Sequence, residues 1–109
     1  MKSYIVINFE FPALHCWPGC PFEEVSFLRD SHRHLFKVTV RAEVGHDDRE
    51  IEFIMFKKKI EEFIREQYYD KDLGKRSCEM ICKELLNYFP LLCYAKVMED
   101  GENGGEVWM

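Results

Sequence analysis

The side chains with the clearest chemical potential are three of the four histidines. His32 and His34 are two residues apart in a segment of alternating apolar and polar side chains, so both rings point to one face of a predicted strand. Two such imidazoles form half of a zinc site, because zinc takes neutral imidazole nitrogens in a tetrahedral shell. His15 offers a third nitrogen, and a three-histidine set leaves one position open for a ligand. The alternative interpretation is polar surface sequence that binds no metal.

The cysteines compete for the same metal. Cys16 and Cys20 lie near His15 in the sequence, so a mixed cysteine and histidine site is an alternative, although their spacing is looser than the Cys-x-x-Cys of zinc ribbons. The other three lie on apolar faces of predicted elements, where a cysteine behaves as a small hydrophobic residue: Cys78, Cys82 and Cys93. An odd total of 5 favours reduced thiols over a disulfide framework.

Two acidic residues occupy positions that suit either structure or binding. Glu99 shares a face with apolar residues at the end of a predicted strand, where its carboxylate either caps a turn or receives hydrogen bonds from a ligand. Glu79 lies in the first turn of a predicted helix, where an acid already gains from the helix dipole. Position alone leaves both alternatives open.

Composition narrows the classes of function. The 109 residues include 15 basic and 20 acidic side chains, a net charge of −5, which argues against a nucleic-acid partner. A hydrophobic share of 47% excludes disorder of the low-hydropathy kind. No apolar run approaches the roughly 20 residues of a membrane span, and the first residues alternate, unlike a secretion signal. We therefore expect one domain over residues 1–109, in the cytoplasm, with no membrane or nucleic-acid partner.

Periodicity predicts the elements that position these residues. Period-2 alternation indicates strands over residues 4–11, 32–44 and 91–99, with a turn over 100–105 and a terminal strand over 106–109. Residues 12–31 contain Pro12, Pro18, Gly19 and Pro21, which predicts an ordered loop.

Two helices occupy the middle of the chain. Apolar residues at helical spacing run from Phe53 to Ile64, and a second helix should begin after the N-cap residue Ser77 and stop before Pro90. The order β-β-α-α-β-β predicts an α+β domain with an antiparallel sheet.

Segments spread over nearly the whole chain resemble, in order, the 6-pyruvoyltetrahydropterin synthase and 6-carboxytetrahydropterin synthase family, which has the tunnelling fold. The strand end at His15, the His32-Arg-His34 strand start, Arg49 to Lys57, Ser77-Cys-Glu79 and Val97-Met-Glu99 carry the resemblance. It implies a four-stranded antiparallel sheet with two helices on one face and a zinc ion held by the three histidines. It also implies a pterin anchored by Glu99, with Ser77 and Glu79 at the ligand, and a trimer or hexamer with pockets between subunits.

The same resemblance exposes departures at the positions of proton transfer. Leu28 stands where the family has its catalytic cysteine, and Lys71 stands where an inter-helix histidine is expected. Cys20 and Glu24 are candidate replacement bases because they lie near the missing cysteine in sequence, and Asp70 is a candidate because it matches the aspartate of the family's inter-helix Asp-His pair. Three hypotheses stay open: a divergent lyase acting on 7,8-dihydroneopterin triphosphate, a non-catalytic protein that binds or sequesters a pterin, purine or nucleotide, and a scaffold with a structural zinc.

Overall fold

Two long strands begin the chain and form most of the sheet. The computed structural model describes residues 1–109, with β1 over Ser3–His15 and β2 over His32–Val44. The strands are antiparallel, and their register runs from Ser3 opposite Val44 to His15 opposite His32. Alternate side chains of both strands are buried on the same face, as the period-2 pattern predicts.

The expected loop from residue 12 is wrong for its first four residues, because β1 continues through Pro12 to His15. Strand β1 is an edge strand, so its outward-facing positions need no partner in the sheet. Pro12 occupies such a position: its carbonyl accepts a hydrogen bond from Asp70 N at 2.8 Å, outside the sheet. The following outward residue, Leu14, bonds Lys71 O and Leu73 N in the same way. The proline therefore costs the β1–β2 ladder no hydrogen bond.

The segment between these strands contains one regular element that the sequence did not predict, a 3-10 helix over Glu23–Arg29 with a kink at Val25. Its residues are exposed or half-buried, so it lies on the surface beside the strand ends.

Two α-helices follow, as predicted. Helix α1 spans Phe53–Gln67 and is capped by the Glu52 side chain, while α2 spans Cys78–Tyr88 and is capped by Ser77, whose hydroxyl accepts from Met80 N at 3.2 Å. Each helix buries one stripe against the sheet, and these stripes join the inner face of the strands in one core cluster of 21 buried residues. The two helices therefore cover one face of the sheet.

Strands β3 (Tyr94–Glu99) and β4 (Asn103–Trp108) complete the sheet in the order β1-β2-β3-β4, all antiparallel. The terminal strand begins earlier than the predicted 106, because the connecting turn needs only Asp100 to Glu102. Asp100 and Gly101 both have positive φ, 55° and 75°, which gives the tight reversal. The architecture is the predicted α+β arrangement of four antiparallel strands with two helices on one face. No helix is long and apolar enough to cross a membrane.

Cysteines on α2 contribute to this core. Cys82 is fully buried and Cys78 is 6% exposed. Burial raises the pKa of Cys78 to about 12, with a further contribution from the nearby Glu99 carboxylate, and burial raises the pKa of Cys82 to about 11. Both thiols are therefore neutral at physiological pH.

Core packing predicts that replacing a buried leucine lowers the free energy of unfolding much more than replacing an exposed one. Leu85 on α2 is fully buried, so Leu85→Ala should lower the free energy of unfolding by about 2–5 kcal/mol through lost burial and a residual cavity. Leu91 is 58% exposed, and Leu91→Ala should change it by less than about 0.5 kcal/mol. Urea denaturation at fixed protein concentration measures both, and equal costs would contradict this packing.

The buried thiols predict a loss of stability at alkaline pH. The ordinary thiol pKa of 9.0 applies in the unfolded chain, so between pH 9 and 11 the folded state holds protons that the unfolded state has released. The free energy of unfolding should therefore fall as the pH rises through this range. The slope of urea midpoint against pH should be shallower in the double variant Cys78→Ala/Cys82→Ala, and identical slopes would contradict the assignment.

Candidate metal centre and cavity

Three histidines meet at one end of the sheet. His15 ends β1 and lies directly opposite His32, the first residue of β2, while His34 follows two residues later on the same face. Their ring centroids are 4.5 to 5.3 Å apart, and one ligand nitrogen from each lies within 4.8 Å of the others. The structure thus brings together the three residues that the sequence proposed as metal ligands.

Each ring is fixed by a hydrogen bond from its Nδ1 atom. The acceptors are the carbonyl of Arg76 for His15 (2.9 Å), the carbonyl of Asp30 for His32 (2.8 Å) and Oδ2 of Asp100 for His34 (2.7 Å). Carbonyl and carboxylate oxygens only accept, so the hydrogen of each neutral ring is on Nδ1. The lone pair of each ring is therefore on Nε2. Acceptors of this kind orient metal-binding histidines in proteins generally.

The three Nε2 atoms are buried and have no hydrogen-bond partner. A buried polar atom without a partner costs about 1–3 kcal/mol, and here three of them adjoin one another. A cation that accepts three imidazole lone pairs removes this cost, and zinc prefers such ligands. The three histidines therefore suit a zinc ion. Their Nε2 atoms, which the Nδ1 hydrogen bonds leave free, would be its ligands.

Two carboxylates flank the histidines and differ in their contacts. Asp100 accepts hydrogen bonds from Leu35 N and His34 Nδ1, which together hold the pKa of its carboxyl group below the usual range. Its positive φ directs the chain so that the side chain reaches back to β2. Glu99, at the end of β3, lies with Oε2 2.9 Å from His15 Nε2 and Oε1 3.5 Å from His34 Nε2. Neither approach has hydrogen-bond geometry, since both nitrogens are without a partner.

A cavity of about 410 Å³ opens beside the histidines, between the strand ends and the N-terminus of α2. His15, His32 and Glu99 form one side of it, and the two other residues predicted at the ligand, Ser77 and Glu79, lie on its lining as well. Gly104 of β4 also lines the cavity, and a Cβ there would meet the carbonyl oxygen of Val97 on β3 at 1.9 Å, so only glycine allows this close approach of the two strands. The volume is in the range of small-molecule sites.

The cavity contains functional groups that sequence reasoning did not place there, although it named Cys16 as an alternative metal ligand. Cys16 and Trp17 continue the chain beyond His15, and Lys75 and Arg76 precede the α2 cap. The only feature of the sequence that could have placed these residues at the cavity is that they are next to His15 or Ser77. Cys78, interpreted as core, also reaches the cavity, with its thiol 4.0 Å from Glu99 Oε2.

Of the residues considered for proton transfer, most lie away from the cavity. Leu28 lines the cavity, so the residue at the family's thiol position presents a hydrocarbon side chain there. Cys20 is buried elsewhere, with its thiol directed to the carbonyl groups of Phe22 and Val25.

The other candidates lie on the surface. Glu24 is exposed on the 3-10 helix, Asp70 is exposed in an ion pair with Arg33 at 2.6 Å, and Lys71 is exposed beside it. Cys20, Glu24, Asp70 and Lys71 are absent from the cavity lining.

Comparisons with known proteins agree with this architecture. No protein-family model matches the sequence, and no curated protein matches it. Twelve chains of solved structures match, and two of them are similar over nearly the full length of each chain. An uncharacterised protein from Wolinella succinogenes has a TM-score of 0.80 at 15% identity, covering 99% of this chain and 98% of that one. The 6-pyruvoyl tetrahydropterin synthase of Caenorhabditis elegans has a TM-score of 0.77 at 11% identity, covering 100% and 96%. At these identities the likeness concerns the fold alone. The chain has the tunnelling fold, as the sequence predicted.

Proposed function

We propose that the protein binds zinc through His15, His32 and His34 and holds a pterin or purine-like heterocycle in the adjoining cavity. The observation that carries this proposal is the set of three buried Nε2 atoms without a partner beside a cavity that contains a carboxylate. Zinc held there would act as a Lewis acid on an oxygen atom of the ligand. The histidines fix the metal, and the cavity lining selects the molecule beside it.

The chemistry of the lining favours a flat heterocycle with adjacent N–H donors. A pterin or guanine ring presents two such donors side by side, and a carboxylate can accept both. Glu99 and Glu79 both offer carboxylates to the cavity, and the indole of Trp17 offers an aromatic surface at its rim. Ser77 adds a hydroxyl group at the α2 N-terminus.

The side chains of the cavity support a protein that binds the heterocycle without converting it better than they support a lyase. The hydrocarbon of Leu28 accepts no proton, and the Cys78 thiol, with its pKa raised to about 12, is not a thiolate at neutral pH. One observation favours the lyase as a second candidate: the Cys16 thiol also lines the cavity, directly after His15. A lyase on 7,8-dihydroneopterin triphosphate would use that thiol as its base.

We also propose a homo-oligomer, a trimer or hexamer, in the cytoplasm. Outward-facing backbone groups along most of β1, and the outer side of β4, have no partner strand within the chain, and open strand edges invite pairing with another chain. The acidic net charge of −5 supports the absence of a nucleic-acid partner.

Zinc binding should depend on the histidine cluster. We expect chelator-stripped protein to bind one zinc ion per chain, and His32→Ala to weaken binding at least about 100-fold, since loss of an outer partner alone typically costs 10–100-fold. Asp100→Asn, which alters the acceptor of His34 Nδ1, should weaken it by about 10–100-fold. The measurement is competition with a chromophoric chelator.

The matched control is His46→Ala, because His46 is the one histidine outside the cluster and its side chain is 61% exposed. It should leave zinc affinity unchanged. Circular dichroism should show that the wild type and the three variants are folded. Equal zinc affinity in all four proteins would contradict the assignment of the metal site.

The protein should bind a pterin but should not convert the triphosphate substrate. Zinc-loaded protein should quench neopterin fluorescence in a saturable manner and should release no triphosphate from 7,8-dihydroneopterin triphosphate. Release of triphosphate that is lost in Cys16→Ser and kept in Cys93→Ser would establish the lyase instead. If neither neopterin nor guanosine binds, the heterocycle proposal is wrong.

A further inference from the structure

The carboxylate of Glu99 lies 2.9 Å from His15 Nε2 and 3.5 Å from His34 Nε2. We infer that, when the cavity holds no ligand, Glu99 supplies the fourth donor to the metal at His15, His32 and His34, and that a heterocycle binds by drawing this carboxylate away from the metal. The inference rests on the proposed function and adds to it a competition between metal and ligand for one side chain.

Hydrogen bonding does not account for the contact between Glu99 and His15. The Nδ1 hydrogen of His15 is directed to Arg76 O, so the neutral ring presents a lone pair at Nε2. A proton added at Nε2 would not point at Glu99, since the oxygen 2.9 Å away lies outside hydrogen-bond geometry. With a neutral ring, two electron-rich atoms lie 2.9 Å apart, and a cation that both atoms contact would relieve their repulsion.

The distances agree with shared coordination. Around a tetrahedral zinc ion with bonds of about 2.0–2.2 Å, neighbouring donor atoms lie about 3.3–3.6 Å apart. Glu99 Oε1 is 3.5 Å from His34 Nε2, within this range, and Glu99 Oε2 is 2.9 Å from His15 Nε2, a little below it. Glu99 is therefore placed to reach a metal held by these two rings.

Glu99 is also free to make that bond. Its carboxylate receives one weak hydrogen bond, from the Cys78 thiol at 4.0 Å, whereas the next residue, Asp100, receives two at 2.7 and 2.9 Å. Asp100 is therefore committed to orienting His34, and the side chain of Glu99 retains unused acceptor capacity. Its backbone is held by pairing with Phe36 and Asn103, so only the side chain needs to move when a ligand enters.

Cobalt(II) tests the inference, because its visible absorption is intense in four-coordinate sites and weak in sites of higher coordination. We expect stripped wild-type protein titrated with Co²⁺ to give the four-coordinate spectrum. Glu99→Gln, which keeps the shape and removes the charge, should weaken Co²⁺ binding at least about tenfold and shift the bands. Saturating neopterin should change the wild-type spectrum, and the change should be smaller in Glu99→Gln, which has no carboxylate ligand for the heterocycle to withdraw.

Glu102→Gln is the matched control, since Glu102 is an exposed carboxylate of the same β3–β4 turn, and it should behave as the wild type. Co²⁺ binding with the same affinity and spectrum in wild type and Glu99→Gln overturns the inference and leaves the metal site intact. Failure of the folded wild type to bind Co²⁺ or Zn²⁺ overturns the proposed function itself.

Discussion

The candidate site depends on one pairing, that of His15 with His32 across β1 and β2. Because side chains alternate between the faces of a strand, a slip of one residue would turn the rings of one strand to the opposite face. The apolar alternation along the remaining length of both strands prevents that slip, since it would expose residues such as Phe11 and Phe36, which are fully buried and stacked 5.3 Å apart. The core thus determines where the histidines meet, although it has no chemical role of its own.

Periodicity in the sequence was sufficient to predict the four strands, the two α-helices and the histidine face, but it predicted neither the 3-10 helix nor the end of β1. The alternation around His34 and the cap residue Ser77 are local signals, and both describe the structure correctly. Pro12 was misinterpreted because its effect depends on whether its strand lies at an edge, which is a property of the sheet and not of the segment. The acceptor for His15 is the carbonyl of Arg76, 61 residues away, and a backbone carbonyl leaves no mark in the sequence.

The candidates for catalysis illustrate the same limit. Cys20 and Glu24 were named for their closeness in sequence to the missing cysteine and Asp70 for its match to a family aspartate, and the chain places all three away from the cavity. Cys16 and Cys78 reach it because the chain turns there after β1 and because α2 begins there. A thiol reacts through its anion, so burial of Cys78 beside Glu99 suits a hydrogen-bond donor better than a base. The environment of a thiol decides its role, and that environment is assembled from distant segments.

The position of the histidine cluster determines which part of the protein a bound metal would stabilise. The three Nδ1 acceptors come from the residues before α2, the turn before β2 and the β3–β4 turn, so one cluster joins segments that share no hydrogen-bond ladder. Without a cation, the buried lone pairs oppose this assembly, whereas the core of 21 residues remains at the centre of the sheet. A zinc ion bound as proposed would therefore act on the end of the sheet where the strands, α2 and the cavity meet, whereas in a zinc finger the metal holds the core itself. A ligand that withdraws Glu99 from the metal would act on the same end, which links occupancy of the cavity to the order of the segments around it.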